Sequence, residues 1–390
     1  MEKKAHTLNL MLIISLSLLF KLGLFGYAVV NAPSMKEMPD TPTYVKPGIN
    51  IVERGIFGTI SDDGRIDYEI TRTPGYPFFL GLLHKKLGLS FDGIILSQIL
   101  LITLAGYLVY LAAAHFGRKT ALIGAAIFLF DQPTTLASLM LLTEALYTFF
   151  IAVFVYFFFN YLKHEKTISL ALTGITVALA TFIRPISYYL GIVLAFGVLW
   201  FNLSRKRNLK RAVIHVLVMI ISIYSFLGIW QYRNYRITGT SDFTNIDDVD
   251  LRHMGIPHKY VREGGAGGTG KGPVRYYAEL LAGSTMQFFT LPGTFKYFSS
   301  KALRTFSKVF GYPWVILVLA GVIFAPYAKP ANRYLLLVVL YYTAVSVIVV
   351  GLEAGSRFRV PVMPLISILS AQGWICIASA ISRSVKKEHN

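Results

Sequence analysis

Leu8-Asn-Leu-Met-Leu-Ile-Ile-Ser-Leu-Ser-Leu-Leu-Phe-Lys-Leu-Gly-Leu-Phe-Gly-Tyr-Ala-Val-Val30 is long and apolar enough to cross a bilayer, whose hydrocarbon core takes about 20 such residues. Its flank, Met1-Glu-Lys-Lys-Ala-His6, is basic, as in a secretory leader. The apolar run is too long for a leader, however, and cleavage after Ala32 would put Pro33 at the new terminus, so it reads as an uncleaved first span. Directly behind it, residues 39–77 are polar: Asp40, Tyr44, Glu53, Arg54, Asp62, Asp63, Arg65, Asp67 and the run Arg72-Thr-Pro-Gly-Tyr-Pro77. Following a span so closely, these residues must lie at the bilayer surface, within reach of a lipid-borne substrate.

The whole composition agrees with a membrane chain. Over 390 residues, 54% are hydrophobic and only 15% charged, with a mean hydropathy of +0.55, which excludes a water-soluble globule. The net charge of +18 is scattered through the loops and forms no long basic cluster, so no nucleic-acid partner is expected. Aromatics at 14% suit lipid contact and interfacial belts. The single cysteine, Cys376, excludes an intramolecular disulfide.

Apolar length places about ten spans, at 8–30, 93–115, 118–133, 140–162, 167–183, 186–203, 211–230, 310–327, 333–351 and 360–381. With the N-terminus inside, every inner segment is basic: Lys3-Lys4, Arg118-Lys119, Lys163 to Lys166, Arg205 to Arg211, Lys329 to Arg333 and Lys386-Lys387. Both termini are then cytoplasmic, and both long loops, 31–92 and 231–309, fall outside. Inside the first of these, Tyr76 to Lys86 is apolar, ends in His84-Lys-Lys86 and is too short to span, which suits an interfacial helix. The expected organisation is an N-terminal membrane module 1–230 with a catalytic loop 31–92, a large external loop 231–309, and C-terminal spans 310–390.

Two motifs in the second loop resolve to blander readings. Gly265 to Lys271 matches the phosphate-cradling GxxxxGK, but Gly272 stands where a magnesium-binding hydroxyl should be and no buried strand precedes it. Asp248-Val-Asp250 has a metal-holding spacing that a solvated acidic turn explains as well.

Charges at the outer ends of spans are more informative, because such charges are costly without a partner or a task. Lys21, Glu144 in Leu142-Thr-Glu144, and Arg184 before Pro185 share the depth of the Asp40 loop. Taken singly, each could snorkel or form a structural ion pair. In the short external loop Glu353-Ala-Gly-Ser-Arg-Phe-Arg359, Arg357 and Arg359 run against the positive-inside bias, and phosphate matches the guanidinium fork. One carboxylate facing several cations suits a sugar carried on a lipid phosphate. Such a phosphate is already a stable leaving group, so cations replace the general acid and a single base suffices.

The ordered pieces Asp40-x-x-x-Tyr44, Asn50 to Phe57, Arg72-Thr-Pro-Gly-Tyr-Pro-Phe-Phe-Leu80, Leu142-Thr-Glu144, Phe182-Ile-Arg-Pro185, Trp230-Gln-Tyr-Arg-Asn234 with Gly239, and Ser356-Arg-Phe-Arg-Val-Pro361 resemble the GT-C membrane glycosyltransferases. The likeness is to their ArnT and protein-mannosyltransferase branch, also labelled RgtA/B/C/D-like. It implies an all-α polytopic GT-C fold in the plasma (inner) membrane and a site on the periplasmic or extracellular face. A polyprenyl-phosphate sugar would be the donor, a lipid-linked glycan, glycolipid or protein the acceptor, and transfer would invert the anomeric carbon. By motif match Asp40 would be the base and Glu144 a second catalytic acid, with Mg or Mn on Asp40 and Glu144 if a divalent cation is used. Arg184, Arg357, Arg359 and Lys85 would neutralise the donor phosphate. Tyr44, Arg72 and Tyr76 would shape the pocket, and Arg233 and Asn234 would anchor the large loop. Relatives often carry adjacent Asp-Glu where Asp40 stands alone, and an Asp where Glu144 stands. A lipid-linked sugar transporter or flippase, and a ligase or polymerase with a lipid pyrophosphate donor, are the competing readings.

Overall fold

The computed structural model describes residues 2–205, 208–246, 272–291, 301–351 and 355–388. Asp248-Val-Asp250, the Gly265 to Lys271 motif and Glu353 lie outside these described residues. The chain is helical, apart from one small hairpin among the described residues. Helix α1 (Glu2–Asn31) leads to α2 (Thr41–Arg54), which Gly55 closes in the left-handed conformation (φ 69°) that a residue without Cβ adopts at least cost. Strands β1 (Gly58–Ile60) and β2 (Ile66–Tyr68) pair antiparallel, Gly58 opposite Tyr68, and α3 (Gly75–Gly81) continues as a π-helical turn, Leu82–Lys86. Helical structure thus covers 76–86.

The helices follow as α4 (Phe91–Ala113), α5 (Arg118–Leu129), α6 (Gln132–Ser138), α7 (Glu144–His164), α8 (Thr167–Ile183), α9 (Leu190–Ser204) and α10 (Leu209–Thr238). Beyond them come α11 (Pro273–Thr290), α12 (Lys301–Ile323), α13 (Pro330–Val350), the short α14 (Ser356–Arg359) and α15 (Met363–Glu388). Seven helical stretches are long and apolar enough to cross a membrane, eight if the bent pair α5–α6 counts as one. The expected spans 167–183 and 310–327 fall on shorter apolar segments, Thr167–Ile183 and Lys308–Ile323, and 118–133 on the bent pair. Helix α7 is central, packed on α4, α8 and α15, and its buried face of Tyr147, Ile151, Phe154, Val155 and Phe158 belongs to one continuous apolar core.

Three boundaries differ from the sequence reading. The expected span 118–133 breaks after Leu129 and bends by 57° into α6, because Asp131 caps the new helix, accepting from Thr134 N (3.0 Å) and Oγ1 (2.7 Å). The expected span 140–162 starts only at Glu144. Its first residues form a buried turn whose backbone bonds outward: Leu141 N to Lys36 O (2.9 Å), Thr41 Oγ1 to Leu141 O (3.1 Å) and Gln98 Nε2 to Met140 O (2.7 Å). Apolar composition cannot distinguish such a turn from helix. Helix α10 runs past 230 to Thr238, where Gly239 (φ 79°) ends it.

Candidate active site

Asp40 sits at the N-cap of α2 but makes no capping bond to the helix backbone, so its carboxylate is turned elsewhere. The start of α2 is fixed by Thr41, whose Oγ1 accepts from Met38 N (2.9 Å) and donates to the Leu141 carbonyl. That bond ties the first external segment to the turn leading into Glu144. Across the gap, α8 ends at Arg184 because Pro185 follows, and α14 presents Arg357.

These five side chains form an alternating chain of charge. Arg72 Nη2 lies 3.3 Å from Asp40 Oδ1, and Arg357 Nη2 lies 3.6 Å from Asp40 Oδ2. Arg357 Nε donates to Glu144 Oε1, which also accepts from Arg184 Nη1 at 3.1 Å. Three guanidiniums face two carboxylates, leaving one net positive charge. The two acids differ sharply in access: the Asp40 side chain is 39% exposed and that of Glu144 is 0% exposed. All three arginines keep some exposed surface, so a ligand at this face meets Asp40 and guanidinium groups, with Glu144 beneath them.

Aromatic rings hold the arginines in place. Arg72 lies over the Tyr44 ring at 5.0 Å, and Arg184 over Phe358 at 5.3 Å and Tyr147 at 6.0 Å. Tyr44 meets Tyr76 edge to face at 5.3 Å, and the buried Tyr76 hydroxyl donates to Gln98 Oε1 at 2.9 Å. Burial raises the phenols of Tyr44 and Tyr76 above their ordinary range, with Arg72 pulling the other way on Tyr44. Both are therefore neutral at physiological pH. Behind Arg184, the hydroxyls of Tyr147, Ser187 and Tyr342 bond mutually at 2.6–2.7 Å and lock the Pro185–Ser187 turn onto α7 and α13.

Other residues singled out in the sequence stand apart from this cluster. Lys85 pairs with Glu53 at 3.4 Å. Arg359, 4% exposed, donates to the Phe288 carbonyl (3.0 Å) and to that of Phe289, so it caps the C-terminal end of α11. Arg233 donates to the carbonyls of Glu69 (3.2 Å) and Phe57 (3.0 Å), and Asn234 to those of Asp242 (2.8 Å) and Phe243 (3.1 Å). Lys21 is buried against Ser17 and the Leu129 carbonyl (2.7 Å), satisfying the backbone where α5 breaks. Each binds main chain or a local partner, a role that sequence alone does not separate from phosphate binding. The sequence reading also missed Gln98, Asp131 and Glu69, whose tasks depend on backbone turns that composition does not announce.

For a divalent cation the donor set is short. Asp40 and Glu144 are joined by Arg357, and among the described residues no three His, Cys, Asp or Glu side chains gather. Among the described residues, these two carboxylates are already engaged by guanidiniums and do not fit a metal.

Residues 71–230 match the family described as dolichyl-phosphate-mannose-protein mannosyltransferase. No curated protein matches the chain. Among solved structures, the apo oligosaccharyltransferase of Archaeoglobus fulgidus is similar with a TM-score of 0.59 at 11% identity, over 98% of this chain and 52% of that one. The archaeal oligosaccharyltransferase AglB from Archaeoglobus fulgidus, in complex with an inhibitory peptide and a dolichol-phosphate, gives 0.55 at 13%, over 99% and 52%. ArnT from Cupriavidus metallidurans bound to undecaprenyl phosphate gives 0.51 at 13%, over 93% and 59%. The chain therefore spans little more than half the length of these structures. Their likeness, together with the apolar helices, gives the conclusion: the chain is a multi-pass membrane protein with the GT-C fold, similar to ArnT and the protein mannosyltransferases.

Proposed function

We propose that this chain is a glycosyltransferase that moves a sugar from a polyprenyl-phosphate donor to an extracytoplasmic acceptor. The observation that carries this reading is one accessible carboxylate, Asp40, held among the guanidiniums of Arg72 and Arg357, with Arg184 next along the charge chain. The donor's phosphate takes up Arg72 and Arg357, and Asp40 is thereby freed to accept the proton of the acceptor hydroxyl. The acceptor oxygen attacks the anomeric carbon, the carbon–oxygen bond to phosphate breaks, and the electron pair leaves on the polyprenyl phosphate, which the arginines stabilise. A single displacement of this kind inverts the anomeric centre. Glu144, wholly buried beneath them, acts in this reading as a positioning residue that holds Arg184 and Arg357. In this reading Lys85 and Arg359 serve their local partners, Glu53 and the Phe288 carbonyl, and the donor phosphate falls to Arg72 and Arg357.

The site lies on the periplasmic or extracellular face, both termini being cytoplasmic, and a lipid-linked glycan, a glycolipid or a protein is the acceptor. Purified protein in proteoliposomes, given labelled polyprenyl-phosphate sugars and membrane acceptors, should form labelled product. Asp40→Asn should lose at least about a hundredfold in rate, the contribution of a general base. Transfer by Asp40→Asn at the wild-type rate would sink the assignment.

A lipid-linked sugar transporter is the second reading. In its favour are the α5–α6 bend and the buried Asp131 close to Lys21 and Arg359. Labelled lipid that crosses the vesicle membrane with no glycosylated product would establish it.

A further inference from the structure

We propose that Glu69, an acid with no chemical step of its own, is the positioning residue that sets Arg72. The inference rests on the transferase reading above. Glu69 continues the hairpin, its N donating to Phe57 O at 3.0 Å. Arg233 closes that open end by donating to both the Phe57 and the Glu69 carbonyls, with its guanidinium 4.7 Å from the Trp230 ring centre. The Glu69 side chain then folds forward, and its Oε1 accepts from Thr71 N (2.7 Å) and Arg72 N (2.8 Å). One carboxylate oxygen thus fixes the turn from which the Arg72 side chain leaves the backbone.

The neighbouring residues are held from other elements. Ile70 O accepts from Asn245 N (3.2 Å), and Thr71 O from Thr244 Oγ1 (2.6 Å), both just beyond α10. Thr73 Oγ1 donates to Ile183 O (3.0 Å), the residue before Arg184. With the main chain of 69–73 fastened at each of these points, the Arg72 guanidinium projects between Asp40 and the Tyr44 ring. A guanidinium oriented before its ligand arrives loses less freedom on binding, which is the physical gain of such a clamp.

The clamp needs an acceptor oxygen, not a negative charge. Glu69→Gln keeps that oxygen, whereas Glu69→Ala removes it and leaves two N–H groups unpaired. Undecaprenyl phosphate binding to purified protein, and donor KM and kcat in proteoliposomes, should be measured for wild type, Glu69→Gln, Glu69→Ala, Arg72→Ala and the double variant Glu69→Ala/Arg72→Ala. Glu69→Ala should weaken undecaprenyl phosphate binding and raise donor KM about tenfold with kcat within about threefold, a change of about 1.4 kcal/mol. Glu69→Gln should stay within about twofold of wild type. In the Arg72→Ala background, Glu69→Ala should add nothing, because its effect passes through that arginine. Glu69→Met, of similar volume but without the acceptor, replaces Glu69→Ala if the latter does not purify as folded protein. Additive losses in the double variant, or equal losses in Glu69→Gln and Glu69→Ala, overturn the inference while the transferase reading stands. Wild-type protein that neither binds undecaprenyl phosphate nor transfers sugar overturns both.

Discussion

Glu144 is the charge at this face whose loss should cost the fold most. It is wholly buried and accepts from two arginines, so Glu144→Ala takes from Arg184 its carboxylate partner and leaves Arg357 with Asp40 alone. Removing one partner of a buried ion pair costs about 3–5 kcal/mol, and thermal unfolding in detergent should show a clear loss for Glu144→Ala. Glu144→Gln, which keeps an acceptor oxygen but no charge, should lose less stability. An unfolding temperature for Glu144→Ala equal to wild type would mean that the two arginines have other partners. At this scale the sequence pointed to residues that meet, better than to the partners each of them takes. Asp40, Glu144, Arg184 and Arg357 were legible because charges at span ends must have a reason, and they do meet. Lys85, Arg233 and Arg359 carry the same signature, yet bind Glu53 or main-chain carbonyls. Glu69 carries no signature at all, since a carboxylate that folds onto its own turn is composed like any solvated loop acid.

Helices α2 and α3 pack as a pair, and two glycines allow their contact. A Cβ on Gly81 would run into the Gly48 carbonyl, and one on Gly48 into that of Pro77, so each backbone lies directly on the other. Gly81→Ala must drive the pair apart, an overpacking cost of about 1–3 kcal/mol. Because α2 carries Asp40 and Tyr44 while α3 carries Tyr76, donor transfer should fall by at least about tenfold. Gly23→Ala in α1, where a Cβ meets nothing, should change neither unfolding nor transfer. Equal behaviour of the two variants would show that the close contact does not hold the site. The existence of α3 could be read from its apolar run, but α2 could not. Its residues Thr41-Pro-Thr-Tyr-Val-Lys-Pro-Gly48 contain two prolines and a glycine, which mark loop by propensity, and the helix is fixed instead by packing on α3 and by the Thr41–Leu141 bond.

Across the whole molecule, residues from distant parts of the chain gather at one end, as an alternation of apolar runs and basic segments leads one to expect. Asp40 touches Arg357, and Arg359 touches Phe288, over separations that only a common face of the bundle can bring together. Breaks within apolar stretches, at Leu129 and before Glu144, stayed hidden because membrane helices and buried turns share one composition. Which side of the membrane holds the site is a separate question that basic residues answer by bias alone, and labelling tests it directly. In a Cys376→Ser background the chain has no cysteine, so a single new thiol reports one position. Asp62→Cys places it in the exposed turn between β1 and β2, and Lys119→Cys in the exposed start of α5. A membrane-impermeant maleimide added to intact cells should label Asp62→Cys at once and Lys119→Cys only after permeabilisation, because an even number of crossings separates the Lys119 end from the basic N-terminus. The reverse pattern would put Asp40 and its arginines on the cytoplasmic side, where a donor would have to be presented from the inner leaflet, and labelling of both in intact cells would break the alternation of spans between α1 and α5.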